Sequence, residues 1–181
     1  MEGLSFSTPR LAAVPLSLSD VDAGFAALAD PCLCAYIPDE PPADAEALGR
    51  QWARYLGGPG AEDEQWLNAT VWLAANSQVI GAVQATLDTH RRAAEIAYLL
   101  CPAVWGQGYG SEAVRRLVHY LFRTAGAASV EARVDVRSRR SWGLLERLGF
   151  ARAAVIPHAN YFKGAPSDEY LYRCWAPNSP P

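Results

Sequence analysis

The 181-residue chain is nearly without lysine: Lys163 is the single one among its 16 basic residues. That bias is compositional and carries no mechanism by itself. No C-x-x-C pair occurs among the four cysteines Cys32, Cys34, Cys101 and Cys174, and no histidine lies within a few residues of any of them. This spacing argues against a zinc site and fits reduced thiols. No apolar run approaches the ~20 residues that cross a bilayer. Met1 to Ser5 has neither the basic nor the apolar region of a signal peptide. The expected location is therefore cytoplasmic, with no membrane partner and no metal. A net charge of −3 argues against a surface devoted to nucleic acid.

With 50% hydrophobic and 19% charged residues, the chain has an ordinary globular balance. Its length suggests one domain over 1–181, with a core of about 9–175 and a loose tail at 176–181. Arg10 to Leu16 reads as a strand. A helix capped by Ser19 follows, then a second one opened by Pro41-Pro42. Gly57 to Gly60 breaks the chain, and Glu62-Asp63-Glu64 reads as a solvated loop. Thr70–Ala75, Gln78–Leu87 and Ala93–Leu100 form a strand meander, with Asn76-Ser77 as its first turn. Ser111 to Thr124 is the best-patterned helix, with Val114, Leu117, Val118, Leu121 and Phe122 on one face. Val130 to Val136 alternates as a strand parallel to Ala93–Leu100. A helix over Arg139–Leu148 and strands at Phe150–Ile156 and Glu169–Trp175, separated by a polar loop, complete the chain.

Between strand and helix stands Trp105-Gly106-Gln107-Gly108-Tyr109-Gly110, followed by Ser111-Glu112-Ala113. Alternating glycines allow a tight turn and close approach of a ligand to the backbone. The helix N-terminus behind them offers unpaired N–H groups and a positive dipole end, a site for phosphate or pyrophosphate. Dinucleotide-binding turns and purely structural corners also use such glycines. The dinucleotide reading asks for a leading strand near the start of repeated βαβ units. Here the strand follows a meander, and Asp135 sits within the next strand instead of ending it.

Order of elements and motifs resemble the GNAT superfamily of acyl-CoA-dependent N-acyltransferases. The residues that carry this are Ala94 to Leu100, Trp105 to Ala113, Arg137 to Ser141 and Leu144 to Phe150. The Trp-Gly-x-Gly-Tyr form, the Leu-Gly-Phe ending and Asp168 to Tyr172 look most like the branch that acetylates protein N-termini and ribosomal proteins (RimJ/RimL-like). The resemblance covers about residues 9–175. It implies a mixed, mostly antiparallel sheet of six to seven strands with about four helices, splayed where acetyl-CoA enters. It implies that the amides of Gly106, Gln107, Gly108, Tyr109, Gly110 and Ser111 cradle the pyrophosphate. The backbone of Leu99, Leu100 and Cys101 would pair with the pantetheine arm.

Two positions depart from the family pattern: Trp105 stands where Gln or Arg is usual, and Ser138 where Asn is common. Arg137, Arg139 and Arg140 form a basic cluster that could meet CoA phosphates, Arg140 above all. Glu95, among uncharged neighbours, is the candidate general base; the alternative is a solvent-facing glutamate paired with Arg91 or Arg92. The tyrosine usual for protonating the thiolate is replaced by Leu145, which leaves Ser141 as the candidate acid, beside a plain capping role. Cys101 reads as a buried cysteine before it reads as a nucleophile.

The implied activity is direct transfer of an acetyl group from acetyl-CoA to a primary amine, here a protein or peptide N-terminus. A small-molecule amine such as an aminoglycoside or polyamine, and a CoA-binding module without catalysis, stay open. Homodimers are frequent in this branch.

Overall fold

The computed structural model describes residues 3–177; the end of the expected loose tail, 178–181, lies outside them. The described chain forms eight strands and four α-helices. These are β1 (Phe6–Ser7), β2 (Leu11–Pro15), α1 (Val21–Leu28), α2 (Ala45–Leu56), β3 (Glu64–Leu73), β4 (Val79–Asp88) and β5 (Ala93–Leu100), then α3 (Tyr109–Arg123), β6 (Ser129–Asp135), α4 (Arg139–Arg147), β7 (Ala151–Phe162) and β8 (Ala165–Trp175). They build one open sheet in the order β1-β2-β3-β4-β5-β6-β8-β7. Only β5 and β6 run parallel, because the α3 crossover between them returns the chain in the same direction.

Several boundaries differ from the pattern-based expectation. The first helix is entered through a 3-10 turn, Leu18–Asp20, with Ser17 as the cap that accepts from the Ser19 amide. Helix α2 starts after Asp44, whose carboxylate accepts from Ala47 N–H at 2.7 Å; Pro41-Pro42 lies before it. β3 begins at Glu64, which pairs with Asp88, so the acidic segment runs into a ten-residue hairpin arm. The expected polar loop after Ile156 is the tip of a longer hairpin. Lys163 and Gly164 both have positive φ, 51° and 77°, the geometry of a two-residue primed turn. β7 is an edge strand with irregular register and exposed side chains on both faces. It contains Pro157, which an edge tolerates, and it shows no clean alternation.

The helices cover the sheet from both sides. Val114, Leu117 and Leu121 of α3 and Leu144 and Leu145 of α4 pack with Ala94, Ile96 and Leu100 of β5 in the larger core. Leu28 of α1 and Leu48 and Trp52 of α2 form the smaller core with Val79, and Leu99 packs against it. β5 thus alternates between two cores: even-numbered residues face α3 and α4, and odd-numbered ones face α1 and α2.

β5 and β6 pair over only three positions, Ala93 with Ser129, Ala94 with Val130 and Glu95 with Glu131. Beyond Glu95 the strands part. β5 stays with β4 up to Leu100 paired with Gly81, while β6 stays with β8 up to Asp135 paired with Glu169. Gly81 makes the β4–β5 approach possible: a Cβ there would lie 2.1 Å from the Leu99 carbonyl oxygen and 2.8 Å from Leu100 Cα.

Candidate acyl-CoA site

The glycine turn lies at the head of the parted strands. Gly106 and Gly108 have φ of 76° and 84°, values that a side chain disfavours, and Gly108 caps α3. The first bond of the helix runs from Glu112 N–H to Gly108 C=O. Among the described residues, the six amides before it, Gly106 to Ser111, have no backbone acceptor. Six such N–H groups stand at the positive end of a 15-residue helix, an arrangement whose chemistry suits an anion such as a phosphate.

Trp105, the first departure from the family pattern, anchors this turn. Its indole N–H donates to the Leu100 carbonyl at 2.7 Å, and the Arg140 guanidinium lies 4.1 Å from its ring centre. The expected pantetheine-pairing residues divide by the pleat. Cys101 N–H donates to Ile80 C=O at 2.8 Å and is therefore held by β4. The backbone of Leu100 and Tyr98 faces the gap on the β6 side. Cys101 is partly buried.

Glu95 occupies the last pair before the strands separate and points to the α1/α2 face. It lines a groove of about 360 Å³ with Tyr55, Trp66, Asn68, Gln84 and Thr86. Burial pushes its carboxyl above the usual range; Arg133 pulls it back, and Glu131 and Glu169 add to the rise. Its cation partner is Arg133, with Nε 3.6 Å from Oε2. Arg91 pairs instead with Asp88, and Arg92 donates to Gly126 C=O. Tyr55 and Trp66 meet edge to face, their ring centres 6.4 Å apart.

Ser141 lies in the first turn of α4, across the sheet from Glu95. Its carbonyl accepts from the Tyr98 hydroxyl at 3.2 Å, and its N–H donates to Ser138 C=O. Burial raises the Tyr98 phenol well above its usual range, so Tyr98 stays protonated as a donor. Ser138 holds the N-cap position of α4 without a side-chain cap bond.

Residue patterns alone missed a polar cluster at the end of β6. The buried Asp135 carboxylate accepts from Arg137 Nε at 2.9 Å, Arg137 Nη2 at 2.6 Å and the Ser167 hydroxyl at 2.5 Å. Arg137 thus serves Asp135, and its guanidinium also faces the Tyr36 and Phe162 rings. Lys163 donates to the Cys34 and Ile37 carbonyls, which ties the β7–β8 tip to the segment after α1. The sequence pattern puts Asp135 inside its strand, but it is the last residue of β6, and Ser167 of β8, which helps to bury it, lies over 30 positions away.

A sheet parted between two parallel strands, with an amide cradle at the head of the gap, defines an acyl-CoA-binding α/β protein. Residues 10–151 match the acetyltransferase (GNAT) domain, and the chain belongs to that family. Members of this family use acetyl-CoA, and the free amides of Gly106 to Ser111 fit its pyrophosphate. The chain is 33% identical over 97 residues to the uncharacterized N-acetyltransferase YoaA of Bacillus subtilis (strain 168), a match that spans 52% of this chain and about half, 54%, of that protein. Its fold is similar to that of a ribosomal-protein-S5-alanine acetyltransferase from Vibrio fischeri, with TM-score 0.82, 18% identity and coverage of 98% and 100% of the two chains. It is also similar to a spermidine N-acetyltransferase from Vibrio cholerae solved with CoA and spermine, with TM-score 0.79, 18% identity and coverage of 93% and 96%. Among the described residues, no group of histidine, cysteine and carboxylate side chains could hold a metal ion, and no helix is long and apolar enough to cross a membrane.

Proposed function

We propose that the protein transfers an acetyl group from acetyl-CoA directly to a primary amine, with Glu95 as general base. The observation that carries this reading is the position of Glu95. It sits at the last residue pair before the sheet opens and faces a groove; its side chain is about half exposed, and partial desolvation raises its carboxyl. A carboxylate with a raised pKa takes a proton from an ammonium group more readily near neutral pH. Acetyl-CoA supplies the activated thioester. In this reading the backbone N–H of Leu100, on the free edge of β5, donates to the thioester oxygen. Ser141, across the gap, offers a hydroxyl proton to the departing sulfur.

The acceptor in this reading is a protein or peptide N-terminus, as the name of the Vibrio fischeri neighbour suggests. A second acceptor class, a small polyamine, draws support from the groove itself. Tyr55 and Trp66 present aromatic walls to a cation, and Glu95 adds a carboxylate to the same groove. Thiol release from acetyl-CoA, measured across N-terminal peptides, polyamines and aminoglycosides, decides between the two. Binding of acetyl-CoA with no thiol release on any amine would leave a CoA-binding module and overturn the catalytic reading.

A further inference from the structure

Between the 3-10 turn Pro31–Cys34 and the start of α2 the chain forms no helix or strand, yet it is held on both sides of the opening in the sheet. On the β5 side, Leu33 is buried in the smaller core, against which Leu99 and Trp105 also pack. On the β6 side, the Tyr36 ring lies 5.8 Å from the Arg137 guanidinium, which Asp135 fixes at the end of β6. Beyond Glu95 these two strands share no pair, so the segment crosses the space between them. It crosses on the face that carries Glu95. Glu131 lies beside Glu95 in the parallel pair, and Asp135 follows Glu131 at an even spacing, so all three point the same way. An amine that reaches Glu95 arrives on this face.

The fastening comes from the far hairpin. Lys163, the only lysine of the chain, sits in the β7–β8 turn. Its ammonium donates to the Cys34 carbonyl and, at 3.1 Å, to the Ile37 carbonyl, and Glu40 Oε1 lies 4.0 Å away. The Phe162 ring beside it lies 5.6 Å from Arg137, so both aromatic contacts of that guanidinium come from the two segments that Lys163 joins.

We propose that residues 31–40 form a strap across the acceptor face of the opening, and that Lys163 is the positioning residue that clasps it. Clasped, the strap closes the head of that face and confines the amine to the groove beside Glu95. Unclasped, it leaves the amine free to lie in more than one direction. Lys163 touches neither substrate and acts through the strap. The inference rests on direct transfer to an amine at Glu95, and it concerns the amine, not CoA.

Hydrogen exchange tests the strap, and kinetics test its role. Lys163→Met should speed exchange of the amides in 31–40 by about tenfold or more, the change expected when charge-assisted bonds to two carbonyls are lost. Exchange across α3 should stay as it is. With the best amine of the panel above, KM for the amine should rise about tenfold, while kcat and the Kd for acetyl-CoA stay within about twofold of wild type. Lys163→Arg, which keeps the charge and can donate to both carbonyls, should restore both readouts. Tyr36→Ala, which keeps Lys163 and removes a ring from Arg137, should shift both in the direction of Lys163→Met and serves if that variant folds poorly. Unchanged exchange in 31–40 would overturn the strap. Faster exchange with an unchanged KM for the amine would overturn the positioning role. Equal weakening toward acetyl-CoA would overturn it too, because it would place Lys163 with the cofactor or with the fold as a whole. If the wild type acetylates no amine, the catalytic reading fails and the positioning role with it, while exchange still decides whether the strap is clasped.

Discussion

Arg10 and Glu112, 102 positions apart, clamp the glycine turn to the first strands of the sheet. Arg10 Nε lies 2.6 Å from Glu112 Oε2, and Arg10 also donates to the Gln107 carbonyl at 3.0 Å and covers the Tyr109 ring. The Thr8 hydroxyl adds a bond to Glu112 at 2.6 Å. Burial alone would raise the Glu112 carboxyl; the bonds from Thr8 and Arg10 outweigh it and hold the group below the usual carboxylate range. Glu112→Ala is expected to cost about 1–2 kcal/mol, visible as a lower Tm, and to weaken CoA binding. A depressed carboxyl contributes stability above its unfolded pKa and loses it as pH falls. The Tm gap between wild type and variant should therefore close below about pH 4.

Glu95 has the opposite sign. Its raised carboxyl means that the fold favours the neutral form, so stability tied to protonation is lost as pH rises through the folded pKa. Glu95→Gln should unfold at a slightly higher temperature than wild type at pH 7 and at about the same temperature near pH 4. Its kcat should fall by about 100-fold or more, most steeply at low pH, where the amine arrives protonated. A kcat–pH profile that Glu95→Gln leaves unchanged would exclude it as the base.

Gly81→Ala tests the close passage of β4 past β5. The added Cβ meets the β5 backbone at Leu99 and Leu100, with no flexible side chain to displace. A loss of about 3 kcal/mol is expected from the clash, together with weaker CoA binding, because the free edge of β5 moves. Urea unfolding with a CoA titration reads both effects.

Asp135→Asn tests the latch between β6 and β8. Burial works to raise the Asp135 carboxyl, and the bonds from Arg137 and Ser167 prevail and hold it low. Removing the charge leaves Arg137 without its main partner; Arg137 is half exposed, so a cost of about 2 kcal/mol is expected. The stabilisation from Asp135 is present above its unfolded pKa and fades as pH falls, so the variant and wild type should converge in acid.

Much of the fold was legible in local pattern. The meander, the glycine turn, the α3 face and the β5–α3–β6 crossover each follow from periodicity, turn chemistry and handedness, which act over a few residues. Glu95 stands out as a candidate in the sequence because its own neighbours are uncharged, and the structure puts it in a groove at the last β5–β6 pair. The long β7–β8 hairpin was not legible, since an edge strand with Pro157 and exposed residues on both faces has no alternation to read. The partners of charged groups were equally hidden: Glu95 pairs with Arg133, not with adjacent Arg91 or Arg92.

By itself the sequence determined where the glycine turn and the start of α3 fall, because glycine at positive φ and a following helix are local properties of the chain. It determined the parallel pairing of β5 and β6 as well, because a helix crossing the sheet between them returns the chain in the same direction. Only the tertiary structure decided where those strands part, which edge of β5 stays free, and which arginines are already spent on Asp135 and Trp105. The parting of the strands and the Arg140–Trp105 contact join segments dozens of positions apart; Arg137 is only two positions from Asp135, but the β8 residue Ser167 that completes the cluster is 32 positions away, outside any window of local pattern.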